Sequence, residues 1–174
     1  MVKRLRGLAA ACAALLTAGP AASAPKIFDA LAGCWTVTGV VRGKPIENLA
    51  RGQWAIDGKY FLLQLVGAPS GKPYAAALFF GQKADGGVVV HWLDIFGADE
   101  SQYLGRGQAT ATTVVTDFPY PDGPTRNEIS LEPDGRWRML VTETPAGKPK
   151  AVFSDYQFTH ATCGAARFPL SVGG

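Results

Sequence analysis

From Trp35 onward the apolar positions recur with a period of two rather than 3.6, the spacing of strands and not of helices. Trp35, Val37 and Val41 alternate with Thr36, Thr38 and Val40, and Trp54 and Ile56 alternate with Gln53 and Ala55. Aromatic and aliphatic runs follow at Tyr60 to Val66, Tyr74 to Phe80, Val88 to Asp94, Thr110 to Thr116, Asn127 to Leu131, Trp137 to Val141 and Val152 to Phe158. Gln102 to Gly107 is a further short candidate. Turn signals divide these runs, among them Arg42-Gly43-Lys44-Pro45, Asp57-Gly58, Asp85-Gly86-Gly87, Pro121-Asp122-Gly123-Pro124 and Pro133-Asp134-Gly135. Asp-Gly between apolar runs marks a hairpin, because both residues tolerate positive φ. The pattern predicts about nine or ten strands joined by short turns, with one helical turn over Pro25 to Leu31. Many short strands in series predict an all-β antiparallel up-and-down barrel or a sandwich. Closure removes the exposed edges that invite aggregation.

The chain begins differently. Met1-Val2-Lys3-Arg4-Leu5-Arg6 is basic, Gly7 to Ala18 is apolar apart from Thr17, and Ala21-Ala22-Ser23-Ala24 is small. This order is that of a secretory signal peptide, too short in its apolar part for a membrane anchor. The expected division is a signal peptide over 1–24 and one barrel domain over 25–174; Pro25 leaves cleavage after Ser23 open. Cys12 lies inside the apolar run and is a poor lipid-attachment site. No second apolar run of membrane-spanning length follows. Export changes the charge picture. The whole chain carries 17 Lys+Arg against 14 Asp+Glu, and Lys3, Arg4 and Arg6 leave with the leader. The remainder is formally neutral, so nothing supports nucleic-acid binding.

The other two cysteines, Cys34 and Cys163, stand near the two ends of the mature chain. If Trp35 and Val37 face inward, Cys34 faces outward; Cys163 has the parity opposite to Tyr156 and Phe158 and also faces outward if the last strand runs that far. In a closed barrel with an even strand number, the start of the first strand lies beside the end of the last. A Cys34–Cys163 disulfide is therefore predicted, in keeping with an oxidising compartment.

Leu31-Ala32-Gly33-Cys34-Trp35-Thr36-Val37 resembles the Gly-x-Trp first strand of lipocalin-like (calycin) barrels. Gly52-Gln53-Trp54-Ala55-Ile56-Asp57-Gly58-Lys59-Tyr60-Phe61-Leu62, Trp92-Leu93-Asp94-Ile95-Phe96-Gly97 and the closing Asp155-Tyr156-Gln157-Phe158 resemble a bacterial secreted family of unknown function with that fold. The resemblance spans Phe28 to about His160. It implies a lipocalin-like barrel of about 8–10 strands and no established activity.

A barrel of this size holds one small ligand if side chains leave room. By parity Trp35, Val37, Trp54, Ile56, Trp137, Met139, Val141, Tyr156 and Phe158 face inward, a wall suited either to a small hydrophobic or aromatic molecule or simply to a filled core. Trp35 reads as core at the closed end. The ligand-binding candidates are Trp54, Asp94, Trp137, Met139, Tyr156 and His160. Asp94 shares a face with Trp92, as a structural hydrogen-bond acceptor or as the orienter of a polar ligand. His160 shares parity with Tyr156 and Phe158. Some haem-binding barrels resembling this fold use a late His as axial ligand, so haem is the alternative to the expectation of no cofactor. His91 and Asp94, three apart on a strand, point to opposite faces and make a poor dyad.

Two histidines and two paired cysteines are a poor stock for zinc, and no metal site is expected. There is no Gly-x-Ser-x-Gly elbow, and no P-loop or dinucleotide fingerprint. Arg106, Arg126, Arg136 and Arg138 read as solvated strand-face residues. A non-catalytic binding barrel is the leading reading. The alternatives are an enzyme or haem protein using His160 or Asp94, and an interaction protein using rim loops such as Pro119 to Pro124.

Overall fold

Among the described residues, ten strands pair in sequence order and the last returns to the first, closing an antiparallel barrel. The computed structural model describes residues 27–69, 71–164 and 166–170. The leader expected over 1–24 lies outside them. A five-residue helix, α1 (Ile27–Leu31), precedes β1 (Gly33–Val41), β2 (Lys44–Ala55), β3 (Tyr60–Gly67), β4 (Ala75–Gln82), β5 (Gly87–Asp94), β6 (Leu104–Ala109), β7 (Thr113–Phe118), β8 (Thr125–Leu131), β9 (Trp137–Glu143) and β10 (Ala151–Ala161). The fold is all-β and consistent with a lipocalin-like barrel.

Alternation decides which side chains are enclosed. Trp35, Val37, Ala50, Phe61, Leu63, Leu65, Leu78, Phe80, Val90, Ile129, Trp137, Met139, Tyr156 and Phe158 form one buried cluster inside the sheet. The helix closes one end. Ile27, Phe28 and Leu31 are fully buried there. Phe28 packs against Phe61 and Phe80, with ring centroids 5.1 and 5.4 Å apart. Trp35 Nε1 donates to the Leu31 carbonyl at 3.0 Å, which ties the helix to β1 and satisfies a polar group that burial would otherwise penalise.

The β1–β2 hairpin turns on Arg42 and Gly43, both at positive φ (48° and 74°), the primed geometry that matches strand twist. The sequence pattern places the second strand only at Gln53 to Ile56, whereas β2 starts at Lys44 and runs for twelve residues. Its first half lacks apolar alternation, and pairing with β1 on one side and β3 on the other supplies the order. Ile56 is a correction. It is 62% exposed, outside the strand, at φ 51° in the turn carried by Asp57 and Gly58. The run from Thr110 also begins late: Thr110 caps the β6–β7 turn, accepting the backbone N–H groups of Thr112 and Thr113.

At the seam Cys34 pairs with Ala161, and Trp35 with His160. Cys34 and Cys163 are disulfide-bonded with Cα atoms 5.2 Å apart. Cys163 lies two residues past the end of β10, so the bond is made from the chain leaving the strand and not from within it. From there the chain crosses the outside of the barrel. Gln64 holds its far end with two hydrogen bonds, Nε2 to the Leu170 carbonyl at 3.0 Å and Oε1 from the Leu170 N–H at 2.8 Å. The arginines on the outer face are paired in part. Arg126 grips Asp117 and Arg138 grips Asp155, each through two hydrogen bonds of 2.7–2.8 Å.

Candidate functional site

The candidate residues divide between the two ends of the barrel. Trp54 belongs to the helix end: its Nε1 donates to Asp29 Oδ1 at 2.9 Å, and its ring meets Phe28 and Phe61 edge-on. Trp137, Met139 and Phe158 are buried in the packed core. His160 is exposed at the same end, edge-on to Trp35 with ring centroids 5.3 Å apart. A haem held by His160 needs a wide apolar space beside the ring. Trp35 fills the barrel side of it, with Ile27, Phe28 and Leu31 packed behind. The cleft near the disulfide, lined by Cys34, Trp35, Leu49, Ala50 and Phe168 among others, measures ≈ 30 Å³, about room for one water. The residues around His160 do not fit haem.

Asp94 and Tyr156 lie toward the opposite end, and it has a different character. Thr116, Asn127, Val141, Ser154 and Val41 are cross-strand partners from β7 through β10 to β1, so they form one row on the inner face. Thr116 and Asn127 are each only 1% exposed, and Ser154 is fully buried. Among the described residues, Thr116 Oγ1 and the two polar side-chain atoms of Asn127 have no hydrogen-bond partner. Ser154 Oγ and Trp92 Nε1 make no well-formed bond either, although Tyr156 lies close to the first and Tyr74 to the second. Gln53, Gln82 and Gln157 also have one unpartnered atom each, but the first and last face outward by register and Gln82 sits at the far end of β4.

Aromatic rings stand beside this row. Trp92 meets Phe118 edge-on at 6.2 Å, Phe118 stacks on Tyr120 at 6.0 Å, and Tyr120 meets Tyr103 at 5.2 Å. Gly105 makes room for the stack, since a Cβ there would stand 2.5–2.9 Å from the Phe118 ring. Phe118 is buried and Tyr120 half-buried, so the rim loop from Pro119 to Pro124 turns its flanking aromatics inward. His91 points outward and bonds the Ser101 carbonyl through Nε2 at 2.9 Å, which anchors the β5–β6 loop.

Burial shifts the acidic groups of this end. Burial raises the Asp94 carboxyl, Glu100 adds to it, and the Phe96 N–H donated to Asp94 Oδ1 at 2.9 Å works against both. Burial raises the Tyr74 phenol strongly, with Tyr156 and Asp94 adding, and burial likewise raises Tyr156 and Tyr120. The phenols therefore stay neutral.

Because the folded chain holds the Asp94 proton more tightly than the unfolded one, stability falls as pH rises from about 3.9 through the raised folded value, and the cost persists above it. Asp94→Asn keeps the acceptor for Phe96 and removes the charge. Urea unfolding of this variant is expected to show higher stability than the parent at pH 7 and no difference near pH 3. The Asp117–Arg126 pair has the opposite sign. Arg126 lowers the Asp117 carboxyl, so its small contribution is present above about 3.9 and lost as pH falls through the folded value.

The structure brings Asp94 and Tyr156 toward one end and separates them from Trp54 and His160. Asn127, Thr116, Ser154 and Trp92 were not among the sequence candidates. Among the described residues no group of His, Cys, Asp and Glu is arranged to hold a metal ion, and no helix is long and apolar enough to cross a membrane.

No protein-family model matches the chain, and no curated protein matches it. Among solved structures, the crystal structure of Rv2717c from M. tuberculosis is similar to it, with a TM-score of 0.55 at 16% sequence identity. The match covers 80% of this chain and 98% of that one. At that identity the likeness shows the fold alone.

Proposed function

We propose that the mature chain is an exported, non-catalytic barrel that binds a small hydrophobic or aromatic molecule in the inner half opposite the helix, beside Trp92, Phe118 and Tyr156. The observation that carries this reading is the row of buried polar side chains Thr116, Asn127 and Ser154, of which Thr116 and Asn127 have no partner among the described residues. Each such group costs about 1–3 kcal/mol when left unsatisfied, and buried groups of this kind call for an explanation. A ligand drawn into the barrel supplies one. The leader-like N-terminus and the Cys34–Cys163 disulfide support export. The membership in a bacterial secreted family that the sequence motifs imply belongs to this same proposal.

The enzyme reading has less support. His160 and Asp94, its two candidates, stand at opposite ends of the barrel, so no one substrate meets both. The interaction reading loses its aromatic anchors to the interior, where Phe118 and Tyr120 stack. The test is native mass spectrometry of protein purified without denaturation from its own host. A retained small molecule, released on unfolding, is the expected result. The bare chain mass, with no mass shift after incubation with a panel of small aromatic compounds, would overturn the proposal.

A further inference from the structure

We infer that the group recognised inside the barrel is a neutral carboxamide or lactam, held by Asn127 with Thr116 beside it. The inference rests on the binding reading above and narrows it. Asn127 has an unpartnered donor, Nδ2, and an unpartnered acceptor, Oδ1, on one planar group. A ligand that satisfies both must present an acceptor and a donor side by side. An amide does this through its carbonyl and N–H, closing a ring of two hydrogen bonds. The Thr116 hydroxyl, on the adjacent strand about 5 Å away, can bond the same carbonyl.

Charge argues against the acidic alternative. A carboxylate offers two acceptors and no donor, so it would leave Oδ1 unpaired. It would also meet like charge at Asp94. Asp94 occupies an inward register position at that end, and Asp94, Glu100 and Asp122 all act on the Tyr120 there. A purely apolar molecule leaves every one of these atoms unpaired. The edge-on pair of Trp92 and Phe118 suits a ring attached to the amide.

The experiment uses the full mature chain, labelled with ¹⁵N, so that the Asn127 side-chain NH₂ and the Trp92 indole N–H are read directly. Benzamide, benzoate and toluene are titrated as matched probes. Benzamide is expected to shift both signals and to bind at least about tenfold more tightly than either analogue, since the site rejects a ligand lacking its hydrogen bonds. Asn127→Leu is expected to abolish that preference and, having removed a buried unpaired group, to raise the thermal midpoint by about 2–4 °C. Thr116→Val keeps the side-chain shape and guards against misfolding of the first variant; it is expected to weaken benzamide with no effect on toluene. Toluene binding as tightly as benzamide would overturn the amide inference and leave the binding barrel standing. A lowered midpoint in Asn127→Leu with benzamide binding unchanged would do the same, since Asn127 would then serve only to hold internal water. Binding by none of the three probes, with no shift at Trp92, would overturn the amide inference and count against the barrel as a binding site as well.

Discussion

Cys34→Ser, or reduction of the bond it makes, is expected to lower the stability of the folded chain by about 4 kcal/mol. The bond joins residues 129 positions apart. In the chain-entropy account a loop that long restricts the unfolded ensemble by nearly 5 kcal/mol, and measured losses for native disulfides run at about 2–5. The folded side of the balance changes little. The seam is also held by an antiparallel ladder from Cys34–Ala161 to Val41–Ser154, so the barrel has no need of the bond to stay closed once formed. The measurement is urea unfolding with and without reductant. At a slope of about 2 kcal/mol per molar urea, the midpoint is expected to fall by about 2 M with the slope nearly unchanged. A loss below about 1 kcal/mol would mean that the unfolded chain already keeps its ends together.

Trp137→Ala is the second large effect, an expected loss of about 3–5 kcal/mol. Trp137 is 2% exposed and lies across from Phe158 on β10 and Leu131 on β8. Its removal leaves a cavity that the sheet on either side cannot close, because strand spacing is fixed by hydrogen bonds. The sequence admits Trp137 either as cavity lining or as core. The two differ in this one measurement: a lining residue facing open space would cost under about 2 kcal/mol, since few packed neighbours are lost. Chemical denaturation of the variant, followed by far-ultraviolet circular dichroism, reads the difference.

Much of the barrel is legible in the sequence because its inner face is written in alternation. Trp35, Val37, Met139, Tyr156 and Phe158 all point where parity puts them, and the same parity placed Cys34 beside the end of the last strand. Ile56 fails for a local reason. The alternation it continues ends at Ala55, and the wide turn at Asp57-Gly58 takes Ile56 out of the strand. The first half of β2 fails for a non-local one, since its order comes from the strands on either side. The candidate site is harder to see. Thr116 shares parity with Val114 and Phe118, Asn127 with Ile129 and Leu131, and Ser154 with Tyr156, so their inward placement is written in the sequence. What is not written is that Thr116 and Asn127 meet no partner among the described residues. A polar side chain among strands reads as solvent-facing unless every flanking parity is followed through, and partners across the barrel come from residues far apart in the chain.

The seam between β1 and β10 sets an order of events as the protein is made. Synthesis runs from the N-terminus, so β1 appears early and waits for a partner more than a hundred residues downstream. Until then it is an open edge, with Trp35 and Val37 uncovered on one flank. The strands between can add one after another as hairpins, each contact local. The final contact is the least local of all, and folds dominated by such contacts are slow to complete. Joint oxidation of the Cys34 and Cys163 thiols, with an external oxidant of the exporting compartment taking the two electrons, therefore follows closure as the last step of assembly, and a free Cys34 thiol labels a chain that has not yet taken it.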